Sequence, residues 1–142
     1  MKALLIFISI LIIAFTAGAL TQPYFKIHDT VSIPKNLPPA QFSSLLDSGK
    51  YTLIDIRTPE EFSAGHLAGA LQNDFYQTAQ FSKFLDQLDK NAEYLIYCRT
   101  GNRSSKALKI MQEKGFKNVS DLAGGIVAWQ QSGLPVILPT PP

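Results

Sequence analysis

From about residue 40 onward, short apolar runs alternate with stretches whose apolar positions recur at helical spacing. The run 51–56 (Tyr51-Thr52-Leu53-Ile54-Asp55-Ile56) is too short and too rich in β-branched and aromatic residues for a helix, and it predicts a buried strand. The runs 94–97 and 119–122 predict two more strands, and 70–72 a short one. Helices are predicted over 41–47, with Phe42, Leu45 and Leu46 on one face, and over 81–88, with Phe81, Phe84, Leu85 and Leu88 inward. Further helices are predicted over 103–114, ended by Gly115, and from the Gly124-Gly125 turn through Trp129, ended by Gly133. Between the first two strands, Thr58-Pro59-Glu60-Glu61 carries a helix start: Thr58 as N-cap, Pro59 at the first position, Glu61 three residues after the cap. Strands that alternate with helices predict an α/β fold, a small parallel sheet flanked by helices on both faces.

The first twenty residues break this pattern. After Lys2, residues 3–20 carry no charge, and a helix over them would be about 27 Å long, at the low edge of what spans a bilayer. Ala17-Gly18-Ala19 has the small-x-small form of a signal-peptidase site. The segment 1–19 therefore reads as a signal peptide, cleaved after Ala19, with an uncleaved hydrophobic helix tethering the chain through 3–20 as the alternative. Either reading places the remainder outside the cytoplasm, periplasmic or secreted. Residues 20–39 contain Pro23, Pro34, Pro38 and Pro39 and read as an extended linker and lead-in. The globular domain is expected over 40–138, and 139–142 as a frayed tail.

Charge narrows the partners. Thirteen basic and eleven acidic residues give +2, with no block of either sign, so neither nucleic acid nor a lipid headgroup surface finds a footprint. The chain has one cysteine, which excludes an internal disulfide and a cysteine-based zinc site. No cofactor is called for.

That cysteine, Cys98, closes the strand 94–97 and opens the polar loop Arg99-Thr100-Gly101-Asn102-Arg103-Ser104, after which a helix begins. A loop of this form can aim several backbone N–H groups at one point, and the helix start adds its positive end. The placement favours the thiolate. Free cysteines are often small buried hydrophobes, but the polar flanks here point to a reactive thiol. Because ligands in parallel sheets gather at the carboxyl ends of strands, Asp55 and Arg57 at the end of 51–56 should share an edge with Cys98 and Arg103.

Three segments resemble the signatures of the rhodanese-like domains, in their order. They are Asp55-Ile56-Arg57-Thr58-Pro59-Glu60-Glu61-Phe62 with Gly65-His66-Leu67-Ala68-Gly69-Ala70; the Cys98–Ser104 loop; and Leu122-Ala123-Gly124-Gly125 with Trp129 and Gly133-Leu134-Pro135-Val136. The resemblance covers roughly 32–136. It implies a rhodanese-like fold and a sulfurtransferase. Cys98 would take a sulfane sulfur from a donor such as thiosulfate, hold it as a persulfide, and pass it to cyanide or to a thiol, including a protein thiol. Amides from Arg99 through Ser104, Thr100 and Asn102 among them, would cradle the outer sulfur, and Gly101 would let the loop turn. Arg103 would hold donor oxygens by a two-pronged contact, with Arg99 and Arg57 as further candidates. Asp55 is expected to be structural, and Ser104 to cap the helix more than to bond the thiolate. His66 is expected as a hydrogen-bonding loop residue rather than a base, His28 lies in the linker, Trp129 belongs to the core, and Lys106 and Lys109 face solvent.

Two other functions compete. A redox or sulfur-carrier module could use Cys98 in mixed disulfides without turnover of thiosulfate, its partner supplying the second thiol. A cysteine phosphatase or arsenate reductase needs five residues between cysteine and arginine to enclose a tetrahedral oxyanion, and here there are four, from Arg99 to Asn102.

Overall fold

The computed structural model describes residues 35–139. The segment 1–19, expected as a signal peptide or anchor, His28 and most of the predicted linker lie outside these residues. Among those described, five strands form one wholly parallel sheet: β1 (Asn36–Leu37), β2 (Thr52–Asp55), β3 (Leu71–Gln72), β4 (Glu93–Tyr97) and β5 (Asn118–Leu122), in the spatial order β1-β5-β4-β2-β3. Five helices connect them: α1 (Pro39–Asp47), α2 (Pro59–Ser63), α3 (Thr78–Asp86), α4 (Asn102–Glu113) and α5 (Gly125–Gln131). Strand β1 was not expected. Its two residues pair with Asp121 and Leu122 of β5, so the sheet takes in part of the predicted linker. Helix α3 starts three residues before its predicted bound, because its first turn, Thr78 to Gln80, is polar and exposed and carries no apolar signal.

Each face of the sheet is covered, which is why β2 and β4 read as nearly continuous apolar runs. On one face Ile54, Tyr94, Ile96 and Val119 pack with Phe81 and Leu85 of α3 and with Ala107, Leu108 and Met111 of α4. On the other, Leu53, Leu95, Tyr97 and Leu122 pack with Phe42 of α1 and with Ile126 and Trp129 of α5. Burying each of these large apolar side chains stabilises the domain by about 1.5–3 kcal/mol before entropic costs. Side chains alternate along a strand, so the parity of β4 sends Cys98 to the α3/α4 face, in line with Tyr94 and Ile96. Tyr97, one residue earlier, points the other way, and its hydroxyl accepts the Leu67 N–H at 3.0 Å.

β4 is the central strand, with β5 and β2 on either side. Asp55 at the end of β2 is fully buried, and it engages Arg57 through Nε at 2.9 Å and through Nη2. Arg57 donates in addition to the Gly65 carbonyl at 2.8 Å, which fastens the end of β2 to the segment after α2. Burial works against the Arg57 charge, but the hydrogen bonds and charge of Asp55 outweigh it, and the guanidinium is held more firmly protonated than usual. Replacement of Asp55 by Ala strands the Arg57 charge in the interior. The expected loss is about 3–5 kcal/mol, read from urea unfolding at neutral pH.

Candidate active site

The loop from Cys98 to Ser104 is shaped by what lies behind it. Helix α5 begins beneath the loop, and its first amides donate into it: Ile126 N–H to the Cys98 carbonyl at 2.9 Å and Val127 N–H to the Arg99 carbonyl at 3.2 Å. The two loop carbonyls are thereby turned outward, and the orphan donors of a helix start are satisfied in the same contact. This approach requires Gly125. A Cβ there would stand 2.5 Å from the Cys98 and Arg99 carbonyl oxygens, at a φ of +61°.

With these carbonyls held, one loop amide reaches the sulfur. Gly101 N–H donates to Cys98 Sγ at 3.1 Å, and Gly101, at φ +95°, forms the N-cap of α4. Cys98 is only 1% exposed, more enclosed than its polar flanks suggested. It is nonetheless turned into the nest and not away from it. The thiol also lies 3.7 Å from Ser104 Oγ. Ser104 does not cap the helix, contrary to expectation, because Gly101 already occupies that position. Its hydroxyl lies instead 3.1 Å from both Asp121 Oδ2 and the Gly101 carbonyl, and its single hydrogen can serve one of them at a time. Asp121, fully buried in β5, also accepts from Ser105 Oγ at 3.2 Å and from Asn36 Nδ2 at 2.9 Å. The sequence reading missed Asp121. Its only signal was a charge inside an apolar strand run, as at Asp55.

The arginines divide by partner. Arg103 does not present a free fork to a substrate: Nη1 and Nη2 bond Glu61 Oε2 and Oε1 at 2.7 and 2.8 Å. Its guanidinium also lies 5.1 Å from the centre of the exposed Tyr76 ring. The Glu61 hydrogen bonds raise the Arg103 pKa beyond its ordinary value, and the Arg103 bond draws the Glu61 carboxyl below its own. Glu61 is fixed from a second side by the expected capping box, accepting from Thr58 N–H at 3.1 Å while its own N–H donates to Thr58 Oγ1 at 3.3 Å. Arg57 is committed to Asp55. The Arg99 guanidinium is exposed and has no hydrogen bond or ion pair among the described residues. It borders a cavity of about 310 Å³ beside the loop, together with Arg57, Glu61, Ile126, Val127 and Gln130. Thr100 and Asn102 are exposed on the loop rim, where their side chains meet solvent. His66 packs on Phe62 with ring centres 3.8 Å apart, and its Nδ1 lies 3.0 Å from the Phe62 carbonyl, as expected of a structural histidine. Lys106 and Lys109 are exposed, and Trp129 is buried with its indole N–H on the Pro135 carbonyl at 2.8 Å.

A parallel α/β domain that presents one thiol in an amide-lined loop at the carboxyl end of its central strand is a scaffold for thiolate chemistry. The profile of the Rhodanese-like domain family matches residues 38–132, and the chain belongs to that family. It is 36% identical over 95 residues to a protein of Allochromatium vinosum named Sulfurtransferase, covering 67% of this chain and 86% of the relative. It is 34% identical over 112 residues to the chloroplastic Thiosulfate sulfurtransferase 16 of Arabidopsis thaliana, covering 72% and 92%. Among solved structures, a rhodanese-related protein of Thermoplasma volcanium superposes with a TM-score of 0.64 at 28% identity, covering 74% of this chain and 99% of that one.

Two outcomes follow from this geometry. Gly125→Ala combines a positive φ with backbone clashes, and it should cost roughly 2–4 kcal/mol in urea unfolding while displacing the loop amides in an NMR amide spectrum. The Glu61 carboxyl titrates lower in the folded chain than in the unfolded one, so the unfolded chain binds more protons on acidification. The stability difference between the native chain and Glu61→Gln should be fully present above about pH 4.3 and shrink as the pH falls further, as measured by urea unfolding at several pH values.

Proposed function

We propose that this protein is a rhodanese-type sulfurtransferase that moves sulfane sulfur through Cys98. The observation that carries the reading is the Gly101 amide donating to a sulfur that is turned into its loop. An amide donor there stabilises negative charge as it develops on Sγ when the bond to the transferred sulfur breaks. The relatives named as sulfurtransferases support the same reaction class.

In the first half-reaction the Cys98 thiolate attacks the terminal sulfur of the donor. A new S–S bond forms as the donor's own S–S bond breaks, and with thiosulfate the sulfite leaves with the electron pair. Cys98 is left as a persulfide anion. In the second half-reaction an acceptor thiol attacks the outer sulfur, the bond to Cys98 breaks, and the acceptor's proton goes to the Cys98 sulfur. No metal or redox partner enters either balance. Arg99, the guanidinium without a partner at the cavity edge, is placed to hold the charged end of the donor, and the apolar side chains of Ile126 and Val127 form the wall beside it. The reading extends to an extracytoplasmic setting, tethered or released, on the strength of the apolar segment 3–20.

Incubation of the purified chain with thiosulfate should add one sulfur atom to Cys98, seen by intact-mass measurement and absent from Cys98→Ser. A verified free thiol that gains nothing would favour the redox or carrier alternative. Arg99→Ala should slow loading by roughly tenfold, the value of one charge-assisted contact, without changing the melting temperature.

A further inference from the structure

Arg57, Glu61 and Arg99 border the cavity beside the Cys98 loop, and Arg103, at the start of α4 in the same loop region, pairs with Glu61. Two of the arginines are already neutralised, Arg57 by Asp55 and Arg103 by Glu61. Glu61 is not only the partner of Arg103; its side chain also borders the cavity beside the loop. A donor entering there meets one uncommitted positive charge, at Arg99, and one carboxylate. The Glu61–Arg103 pair is two-pronged and part-buried, and Glu61 is further locked by the Thr58 amide, so the pair does not open at the mere arrival of an anion.

We propose that Glu61 is a specificity-determining residue, which by occupying Arg103 and facing the cavity turns the site away from dianionic oxyanions and toward sulfane-sulfur donors carrying one negative charge or none, such as organic persulfides and thiosulfonates. The inference rests on the sulfur-transfer reading and narrows its substrate class. Like-charge repulsion scales with the charge of the ligand, so a dianion is penalised about twice as heavily as a monoanion of the same shape. Release of Arg103 from Glu61 would reverse the preference by supplying a second free guanidinium fork.

The capping box allows a clean test, because glutamine at this position keeps the reciprocal bonds that start α2 while removing the charge. The full chain is compared with Glu61→Gln, Arg103→Ala and the double variant, the fold of each being checked by circular dichroism. Two donors are used: thiosulfate, with two charges, and methanethiosulfonate, with one; both deliver a terminal sulfur. Loading of Cys98 is followed by intact mass over time. Independently of any turnover, inorganic sulfate is titrated while the amide resonances of the loop from Arg99 to Ser104 are monitored.

In Glu61→Gln, thiosulfate loading should rise by about tenfold or more and methanethiosulfonate loading by about threefold or less, and sulfate should bind about tenfold more tightly. In the double variant, which has no Arg103 to free, all three gains should shrink to the part that relieved repulsion alone supplies. Should Glu61→Gln fail to fold, Glu61→Asp, which keeps the charge but shortens the reach, should show the same gains at smaller size. Equal sulfate affinity in the native chain and the Glu61 variant overturns the inference, whatever the loading assay shows, and so does a gain undiminished by the loss of Arg103. Tighter sulfate binding in Glu61→Gln, with no sulfur gained from either donor by any variant, upholds the role of Glu61 in anion selection and overturns the sulfur-transfer reading instead.

Discussion

The site depends on two hydrogen bonds that never touch a substrate. The amides of Ile126 and Val127 hold the carbonyls of Cys98 and Arg99, which fixes the course of the chain from the strand end into the turn at Gly101, whose N–H reaches the sulfur. Without that hold, a six-residue polar loop would have no fixed course beside the sulfur. The hold requires close approach of α5, and the absence of a Cβ at Gly125 permits it. The C-terminal glycine pair, far from the cysteine in sequence, is thus part of the machinery that makes the cysteine loop a nest.

The sheet supplies the second level of order. β4 lies at its centre, its neighbours β2 and β5 each end in a buried carboxylate, and each carboxylate has a separate task. Asp55 fixes Arg57 and the segment after α2. Asp121 gathers Asn36, Ser104 and Ser105, linking the edge strand to the first turn of α4. The front of the loop is then tied to α2 through Arg103 and Glu61. The loop that carries the thiol is thus tied to α5 through two carbonyls, to β5 through Ser104 and to α2 through Arg103.

Much of this was legible in the sequence where local chemistry decides structure. The strand 94–97, the capping box at Thr58 and the arrival of Cys98 at a strand-to-helix turn each follow from residues close together in the chain. Those features that depend on distant pairing were not legible. Strand β1 is two residues between prolines, and only its partner β5 makes it a strand. Ser104 has the right chemistry for a cap, but Gly101 reached that position first by adopting a left-handed conformation. Arg103 carries the right group for an oxyanion, but Glu61, forty-two residues earlier, is the carboxylate it meets. A motif gives residue types and spacing; it does not say which valences are already filled.

The near-complete enclosure of Cys98 has a consequence for traffic. A thiol with so little surface can be touched only end-on, by an atom at the tip of a slender group, while a centre crowded by substituents is stopped at the rim. Sulfur attached to Cys98 would sit beneath the same rim, sheltered from bulky oxidants and from casual thiols. The domain would therefore work as a guarded berth, in which the shape of the incoming tip decides both what may unload there and how long the cargo survives.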